Sequence, residues 1–228
     1  MGRLLALALA RAGHRVSLYD QQGADAQGSA ARVAAAMLAP LAESAVTEPG
    51  VVRMGEHALV RWPQLLAQLP EPVFFQQNGT LVVWHRQDAA DAARLRLQFE
   101  TTRTTVPTLP AMEALGSDRL TTLEPALTGR FAQGMYLPGE GQLDNRQLLA
   151  ALAHALVQAG VTTHWNTPRE VTDFAPGTAG QPDWLLDCRG LGARHQWSAL
   201  RGVRGEVVRV HAPEVTLQRP TRLVHPRY

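Results

Sequence analysis

The sequence contains no lysine, so all 22 of its cationic side chains are arginines. This absence excludes two classes of chemistry. A P-loop uses a lysine to contact its bound phosphates, and a pyridoxal enzyme uses one to form its Schiff base. Neither site can be assembled from this chain.

Cysteine is also scarce, because Cys188 is the only one. A lone cysteine forms no internal disulfide and no cysteine-based metal cluster, and this usage is typical of a reducing compartment. The eight histidines show no H-x-x-x-H or H-x-H pairing. We therefore predict that the protein has no metal site.

Long apolar runs and concentrated charge are missing as well. No apolar run reaches the roughly 18 residues that a membrane span requires, and the alanine-rich start lacks the cleavage site of a signal peptide. The formal charge of +2 is spread along the chain, which gives no electrostatic footprint for nucleic acid. We expect a cytoplasmic protein with neither a nucleic-acid nor a membrane partner.

What is present is enough apolar side chain for a substantial core, at 45% of 228 residues. Runs of helix-forming residues predict helices at residues 3–12, 51–69, 88–103 and 145–159. β-Branched and aromatic runs predict strands within residues 14–19, 74–85, 120–140, 161–165, 168–187, 205–213 and 221–228. In the second of these, two strands around an Asn-Gly turn indicate a β-hairpin. The clearest strand in the fifth is WLLDC at 184–188.

Alternation of βα units with a group of strands predicts an α/β fold. We expect a Rossmann-like lobe, interleaved in sequence with a mainly β lobe of the α+β type. No linker is long enough to separate independent domains.

The opening stretch matches part of a dinucleotide-binding unit. In that unit a third glycine lets the helix pack on the first strand, and an acid about 20 residues later binds the ribose hydroxyls. Gly2 and Asp20 have this separation. An ordinary αβ pair whose strand ends in aspartate is an equally open interpretation. If the match holds, Met1 is an internal residue of a longer natural protein, and the first strand and two glycines precede it.

The stretch GSAARVAAAMLAPLAE at 28–43 resembles the segment that lies against the flavin ring in ThiO-type glycine oxidases. These enzymes belong to the D-amino-acid oxidase family of flavoproteins. Three further stretches resemble family segments in the same order: QNGTLVV at 77–83, LEPAL at 123–127 and EGQLDNRQLLAAL at 140–152. The resemblance therefore covers nearly the whole chain.

The resemblance implies an FAD cofactor and a set of residues that contact it. The flavin ring would lie against Ala34, Ala35, Ala36, Met37 and Leu38. Ala36 stands where the family usually has glycine. The nucleotide end of the cofactor would contact Gly2, Asp20 and Val171, and Gly190 and Gly192 would lie in a second glycine-containing turn beneath the cofactor. For the glycine-containing loop at 189–194, a plain strand-to-helix turn is an equally open interpretation.

The resemblance divides the chain into lobes but supplies few substrate contacts. Residues 1–45 and 141–200 would form the FAD-binding lobe, and residues 46–140 and 201–228 part of the substrate lobe. His225 begins the family strand that carries an active-site tyrosine, which Tyr228 approximates. The arginine that binds the substrate carboxylate in the family lies beyond residue 228. Glu206 is expected to be a solvated edge residue, so no catalytic residue is predicted.

The implied activity is oxidation of glycine or another small amino acid or amine to the imine, as in thiamine biosynthesis. Hydride would pass from the substrate α-carbon to the flavin, and oxygen would reoxidise the flavin to give hydrogen peroxide. Two alternatives stay open: an FAD-dependent amino-acid dehydrogenase with another acceptor, and a non-catalytic truncated flavoprotein. A nucleotide-cofactor module such as a methyltransferase is disfavoured by the flavin-segment match. A homo-oligomer stays possible.

Overall fold

Alanine and leucine dominate the apolar stretches that become helices, because both residues lose little conformational freedom there. A computed structural model of the protein describes residues 1–225. Its α-helices are α1 (Gly2–Arg11), α2 (Ala30–Val33), α3 (Pro49–Leu66), α4 (Ala89–Thr105), α5 (Ser117–Leu123) and α6 (Asn145–Gln158). Its strands are β1 (Ser17–Tyr19), β2 (Met37–Leu38), β3 (Phe75–Gln76), β4 (Thr80–Val83), β5 (Glu113–Gly116), β6 (Gln133–Leu137), β7 (Gly141–Leu143), β8 (Thr162–His164) and β9 (Thr221–Leu223).

These elements form two compact units, each assembled from segments that are distant in sequence. Unit 1 comprises Met1–Ala35, Leu69–Pro72 and Asn145–Arg209. Unit 2 comprises Ala36–Gln68, Val73–Asp144 and the chain from Val210 onward.

Unit 1 contains two successive helix-to-strand connections. Strands β1 and β8 pair in parallel, with Ser17 opposite Thr162, and α1 contacts α6. Gly13 and Gly160 follow the two helices with φ of +89° and +73°, the left-handed conformation that commonly ends a helix. The apolar side chains that the two helices bury are Ala6, Leu7, Leu148, Ala151, Leu152, Ala153, Ala155 and Leu156.

Unit 2 contains two sheets. The larger has the strand order β5-β6-β4-β9, in which β4 is antiparallel to β6 and parallel to β9. The smaller has the order β2-β7-β3 and is antiparallel throughout. The hydrophobic core of unit 2 includes Val52 of α3, Phe99 of α4, Val82 of β4 and Met135 of β6, all at most 1% exposed. The mixed α/β class that the sequence predicts is therefore confirmed.

The predicted hairpin at 74–85 is wrong, although both of its strands exist. β3 pairs with β7, while β4 pairs with β6 and β9, so the Asn-Gly turn connects two different sheets. Gly79 has the expected positive φ of +83°, but its N–H donates to the Glu140 carbonyl. Pairing with distant strands therefore overrides the local turn signal.

Three other strand predictions are wrong in part or entirely. Residues 168–187 and 205–213 contain no strand, and WLLDC at 184–188 is irregular. A strand needs a neighbour to accept and donate its backbone hydrogen bonds, and no described strand lies alongside these stretches. Within 120–140 the structure has the end of α5 and then β6.

Candidate functional site

Gly2 begins α1 at a point of close approach within unit 1. A Cβ atom added there would lie 3.3 Å from the Cβ of Cys188 and 3.7 Å from Cδ1 of Leu18 on β1. A dinucleotide fingerprint likewise has its third glycine at the start of the helix, where a side chain would crowd the packing. The first turn of α1 has neither an acidic residue nor a side-chain cap. Its first N–H groups therefore have no side-chain partner of their own.

Asp20 follows β1 directly and is partly exposed. Its Oδ1 accepts a hydrogen bond from the Gln22 amide at 2.9 Å, and its own amide donates to the His164 carbonyl at 3.1 Å. A carboxylate has about four acceptor positions, so one internal bond leaves capacity for ligand hydroxyls. Asp20 is thus held at the carboxyl end of a parallel strand with acceptor capacity to spare.

An arginine-centred network joins two of the predicted contact segments. Arg189 Nη1 donates to Glu170 Oε2 at 2.6 Å, and Arg189 Nε donates to Asp187 Oδ1 at 3.0 Å. Hydrogen bonds from Arg189 hold the pKa of the Glu170 and Asp187 carboxyls below their ordinary values. Glu170 precedes Val171 and Arg189 precedes Gly190, so the network places these two candidates in one region of unit 1.

The local structure of both segments differs from the prediction. Val171 lies in a short 3-10 turn, Val171–Asp173, and not in a strand. Gly190 and Gly192 lie in a 3-10 turn, Gly190–His195, rather than in an open loop. Both turns are exposed and have internal backbone hydrogen bonds, and the Arg189 and Gln196 side chains connect them by donating to the Glu170 carboxylate. The cofactor contacts assigned to these residues stay predictions.

Aromatic contacts connect the Asp20 region to the segment that contains Val171. The Tyr19 ring stacks on the His164 ring at 4.3 Å between centroids and meets the Phe174 ring edge-on at 5.5 Å. The Thr167 amide donates to the Asp20 carbonyl at 2.9 Å. The chain from Thr167 to Phe174 therefore lies beside the end of β1.

The alanine-rich stretch is held by a residue that the sequence analysis did not single out. Ala34 and Ala35 are exposed at the end of α2. The Asn145 side-chain amide donates to the Ala34 carbonyl at 2.8 Å and also to the Ala31 carbonyl. Asn145 lies in EGQLDNRQLLAAL, so the family resemblance was the only signal that could have found it.

Ala36, Met37 and Leu38 belong to unit 2 and are partly buried. Ala36 has a φ of +59°, the left-handed conformation that favours glycine. Its carbonyl accepts from the Leu143 amide at 3.2 Å, and Met37 pairs with Gln142 in β7. Ala36 therefore has a glycine-like backbone conformation although it carries a β-carbon.

Glu140 is the second residue that the sequence analysis did not single out. It is 2% exposed, and its Oε1 accepts from the Leu41 amide at 2.9 Å and the Ala42 amide at 2.8 Å. Burial raises the pKa of this carboxyl to about 7, against a smaller lowering by hydrogen bonds from the Ala42 amide, the Thr80 hydroxyl and the Leu41 amide. Arg222 Nη1 donates to the Ala42 carbonyl at 2.8 Å.

An apolar cavity of about 210 Å³ adjoins this part of unit 2. Its wall includes Met37 and Leu38 on β2 and Val51, Val52 and Gly55 on α3. Such a surface can exclude water from a bound group, but it offers little for hydrogen bonding.

The predicted substrate-side residues form no catalytic arrangement in the part of the chain described. The Glu206 carboxylate is 77% exposed and pairs with Arg204 at 3.0 Å. His225 is partly buried just beyond β9, and Tyr228 lies outside the described residues. No group of three or more His, Cys, Asp or Glu side chains within residues 1–225 could hold a metal ion. No helix in that range is long and apolar enough to cross a membrane.

Comparison with known proteins defines the class. The family described as DAO, FAD dependent oxidoreductase, matches residues 1–228. The chain belongs to this family of FAD-dependent oxidoreductases.

Within this family, individual proteins and one crystal structure can be compared with the chain by sequence identity and by aligned length. The chain is 34% identical over its full length to a Rhizobium etli protein provisionally named thiamine biosynthesis oxidoreductase ThiO, and covers 62% of that protein. It is 28% identical over 96% of its length to the glycine oxidase of Geobacillus kaustophilus, and covers 61% of that enzyme. The structure also aligns with a crystal structure of glycine oxidase from the same organism, at a TM-score of 0.62 and 27% sequence identity. The alignment covers 78% of this chain and 47% of the glycine oxidase chain. The chain thus spans about three fifths of the length of its curated relatives.

Proposed function

We propose that this chain binds FAD and belongs to an enzyme that oxidises glycine or another small amino acid or amine to the imine. The observation that carries the proposal is the arrangement at α1 and β1. Gly2 packs against Leu18 at the start of the helix, and Asp20 stands at the carboxyl end of the strand. This arrangement, with a glycine at the start of the helix and an acid at the end of the strand that follows it, is the one expected for the helix and second strand of a nucleotide-binding βαβ unit.

Each unit, taken by itself, has residues that suit one part of such a cofactor. Gly2 and Asp20 would hold the adenosine and pyrophosphate, with Val171, Gly190 and Gly192 nearby in unit 1. The flavin would contact the small-residue stretch from Ala34 to Leu38, where Ala36 has a backbone suited to close approach. Residues 1–45 and 141–200 would form the FAD-binding lobe, and residues 46–140 and 201–228 part of the substrate lobe.

When bound, FAD supplies a hydride acceptor for the substrate α-carbon. The chain's own contribution is to bind and orient, which explains why no nucleophile or catalytic triad is needed. Met37 and Leu38 present apolar side chains that would exclude water from the reacting carbon. The single cysteine and the dispersed charge support a cytoplasmic location and a small-molecule substrate as part of this proposal.

The first test is the affinity for FAD of this chain, or of a longer natural product of its gene. Titration is followed by visible absorption and by quenching of flavin fluorescence. Asp20→Ala should weaken binding by about 10- to 100-fold, since hydrogen bonds to a charged group contribute about 1.5–3 kcal/mol. Asp25→Ala is the matched control, because Asp25 also accepts a local backbone amide but does not end a strand. Equal affinity of the Asp20 variant and the unmodified protein would contradict the assignment.

A second measurement separates the alternatives. The FAD-loaded protein is mixed with glycine, sarcosine or another small amine in the presence of oxygen. Stoichiometric hydrogen peroxide supports an oxidase. Reduction of an added dye without peroxide indicates a dehydrogenase, and an absence of flavin binding leaves the non-catalytic alternative.

A further inference from the structure

Three interactions within unit 2 converge on the segment Ala36–Ala42. Its first half pairs with β7, where Met37 lies opposite Gln142 and Leu38 opposite Gly141. Its second half is held by side chains: Glu140 Oε1 accepts from the Leu41 and Ala42 amides, and Arg222 donates to the Ala42 carbonyl. Leu41 and Ala42 are 3% and 0% exposed, so water cannot replace these bonds.

Burial of the Glu140 carboxyl is unfavourable for the free energy of folding. Its other oxygen, Oε2, is buried, and the buried Thr80 hydroxyl is the side-chain group that interacts with the carboxyl. No ion pair involving Glu140 occurs among residues 1–225. Burying an unpaired carboxylate is strongly unfavourable, and an apolar side chain of similar size would avoid that cost. Glu140 provides a hydrogen-bond acceptor for two buried amides, which an apolar residue could not do.

The segment needs such support because its start is strained. Ala36 has a φ of +59°, a left-handed conformation that is unfavourable for a residue with a β-carbon. Such a conformation persists only where the surroundings over-determine it. The β7 pairing fixes one side of the segment, and the Glu140 carboxyl fixes the other.

We propose that Glu140 is a positioning residue that holds the segment Ala36–Ala42, and through it Met37 and Leu38, in the place where they meet the flavin ring. The proposal rests on the proposed function for its flavin contact. Glu140 itself touches neither cofactor nor substrate in this account, because its carboxyl points at the backbone of Leu41 and Ala42. Loss of its acceptor would free two amides and let the strained segment relax away from β7.

The test combines amide hydrogen exchange with flavin titration. In Glu140→Ala, exchange at the Leu41 and Ala42 amides should accelerate at least tenfold, and bound FAD should show a shifted visible spectrum and at least tenfold weaker binding. Glu140→Gln should restore both readouts, because the amide oxygen can accept the same two bonds. Glu140→Asp, which retracts the acceptor by one methylene, replaces the alanine variant if that variant does not fold.

Glu124→Ala is the matched control. Glu124 is also fully buried in unit 2; it accepts the Gln218 amide at 2.8 Å and lies 3.8 Å from Arg219 Nε, and neither partner belongs to the segment Ala36–Ala42. Glu124→Ala should leave amide hydrogen exchange at Leu41 and Ala42 unchanged, and it should also leave the flavin spectrum unchanged.

The outcomes separate the two proposals. If the unmodified protein binds no FAD, the proposed function fails, and the positioning role fails with it. If the unmodified protein binds FAD and Glu140→Ala changes neither exchange nor spectrum, only the positioning role is overturned. The same holds if Glu124→Ala reproduces the changes, since general destabilisation would then explain them.

Discussion

Ala36 combines a β-carbon with a left-handed backbone, at φ +59°. Replacing it by glycine removes the steric cost of that conformation, so Ala36→Gly should raise the free energy of unfolding by about 1 kcal/mol. Ala35→Gly is the control, because Ala35 has no positive φ and glycine there only adds freedom to the unfolded chain. It should lower stability by about 0.5–1 kcal/mol. Urea unfolding of both variants measures the difference, and changes of the same sign would contradict the strain.

Glu140 makes stability depend on pH. Its pKa is raised from 4.5 to about 7 in the folded protein, so between these values the native state keeps a proton that the unfolded chain has released. Stability contributed by this group should therefore be present below about pH 4.5 and fall as pH rises to about 7, by about 3 kcal/mol at most.

The measurement is urea unfolding at several pH values between 4.5 and 8. Glu140→Gln cannot titrate, so its stability should decline less steeply over that range than that of the unmodified protein. Parallel curves for the Glu140 variant and the unmodified protein would show that this carboxyl does not titrate in that range.

At the scale of elements, the turn between β3 and β4 depends on a close contact. A Cβ added at Gly79 would overlap Cε2 of Tyr136, whose hydroxyl donates to the Asn78 carbonyl at 3.1 Å. Gly177 has nearly the same φ, +79° against +83°, but open space around it. Both alanine variants acquire backbone strain, and only Gly79→Ala must also displace a ring.

Gly79→Ala should therefore lower the free energy of unfolding by about 1–3 kcal/mol more than Gly177→Ala does. Chemical unfolding of the two variants under one condition checks this difference. Equal losses would mean that the turn is open on the side of Tyr136, as an isolated hairpin turn would be.

At the scale of the whole molecule, regular structure is distributed unevenly. Residues 196–220 contain no helix or strand, and Val203, Val208 and Val210 are 99%, 83% and 78% exposed there. Segments with few buried contacts open locally at low free energy cost. This region should therefore be the first to yield to a protease.

Limited digestion with trypsin should cut after Arg201, Arg204 or Arg209 before it cuts after Arg94 or Arg96. The Arg204 and Arg94 side chains are 87% and 76% exposed, but Arg94 lies in α4 and that helix must unwind before it can be cleaved. Mass spectrometry of the early fragments gives the order. First cleavage inside α4 would refute the expected ranking of local stability.

Much of the helical structure was predictable from residues close together in sequence. The apolar stretches around α1 and α6 form helices within one residue of the predicted ends, because alanine and leucine propensity and a following glycine act locally. Strand partners were not predictable in the same way. The Asn-Gly turn at 78–79 looks like a hairpin signal, but partners 50 to 140 residues away decide where β3 and β4 pair.

Some features of the candidate site were predictable from the sequence, and others depend on the tertiary structure. The spacing of Gly2 and Asp20 and the small-residue stretch through Leu38 were visible in the sequence, as was the exclusion of lysine-dependent chemistry. Glu140 looked like any acidic residue in a turn. Only the tertiary structure buries it against Leu41 and Ala42, and desolvation by distant segments is what raises its pKa to about 7. Local propensity and residue type are properties of short stretches, whereas burial, strand pairing and ionisation depend on which distant segments the fold brings together.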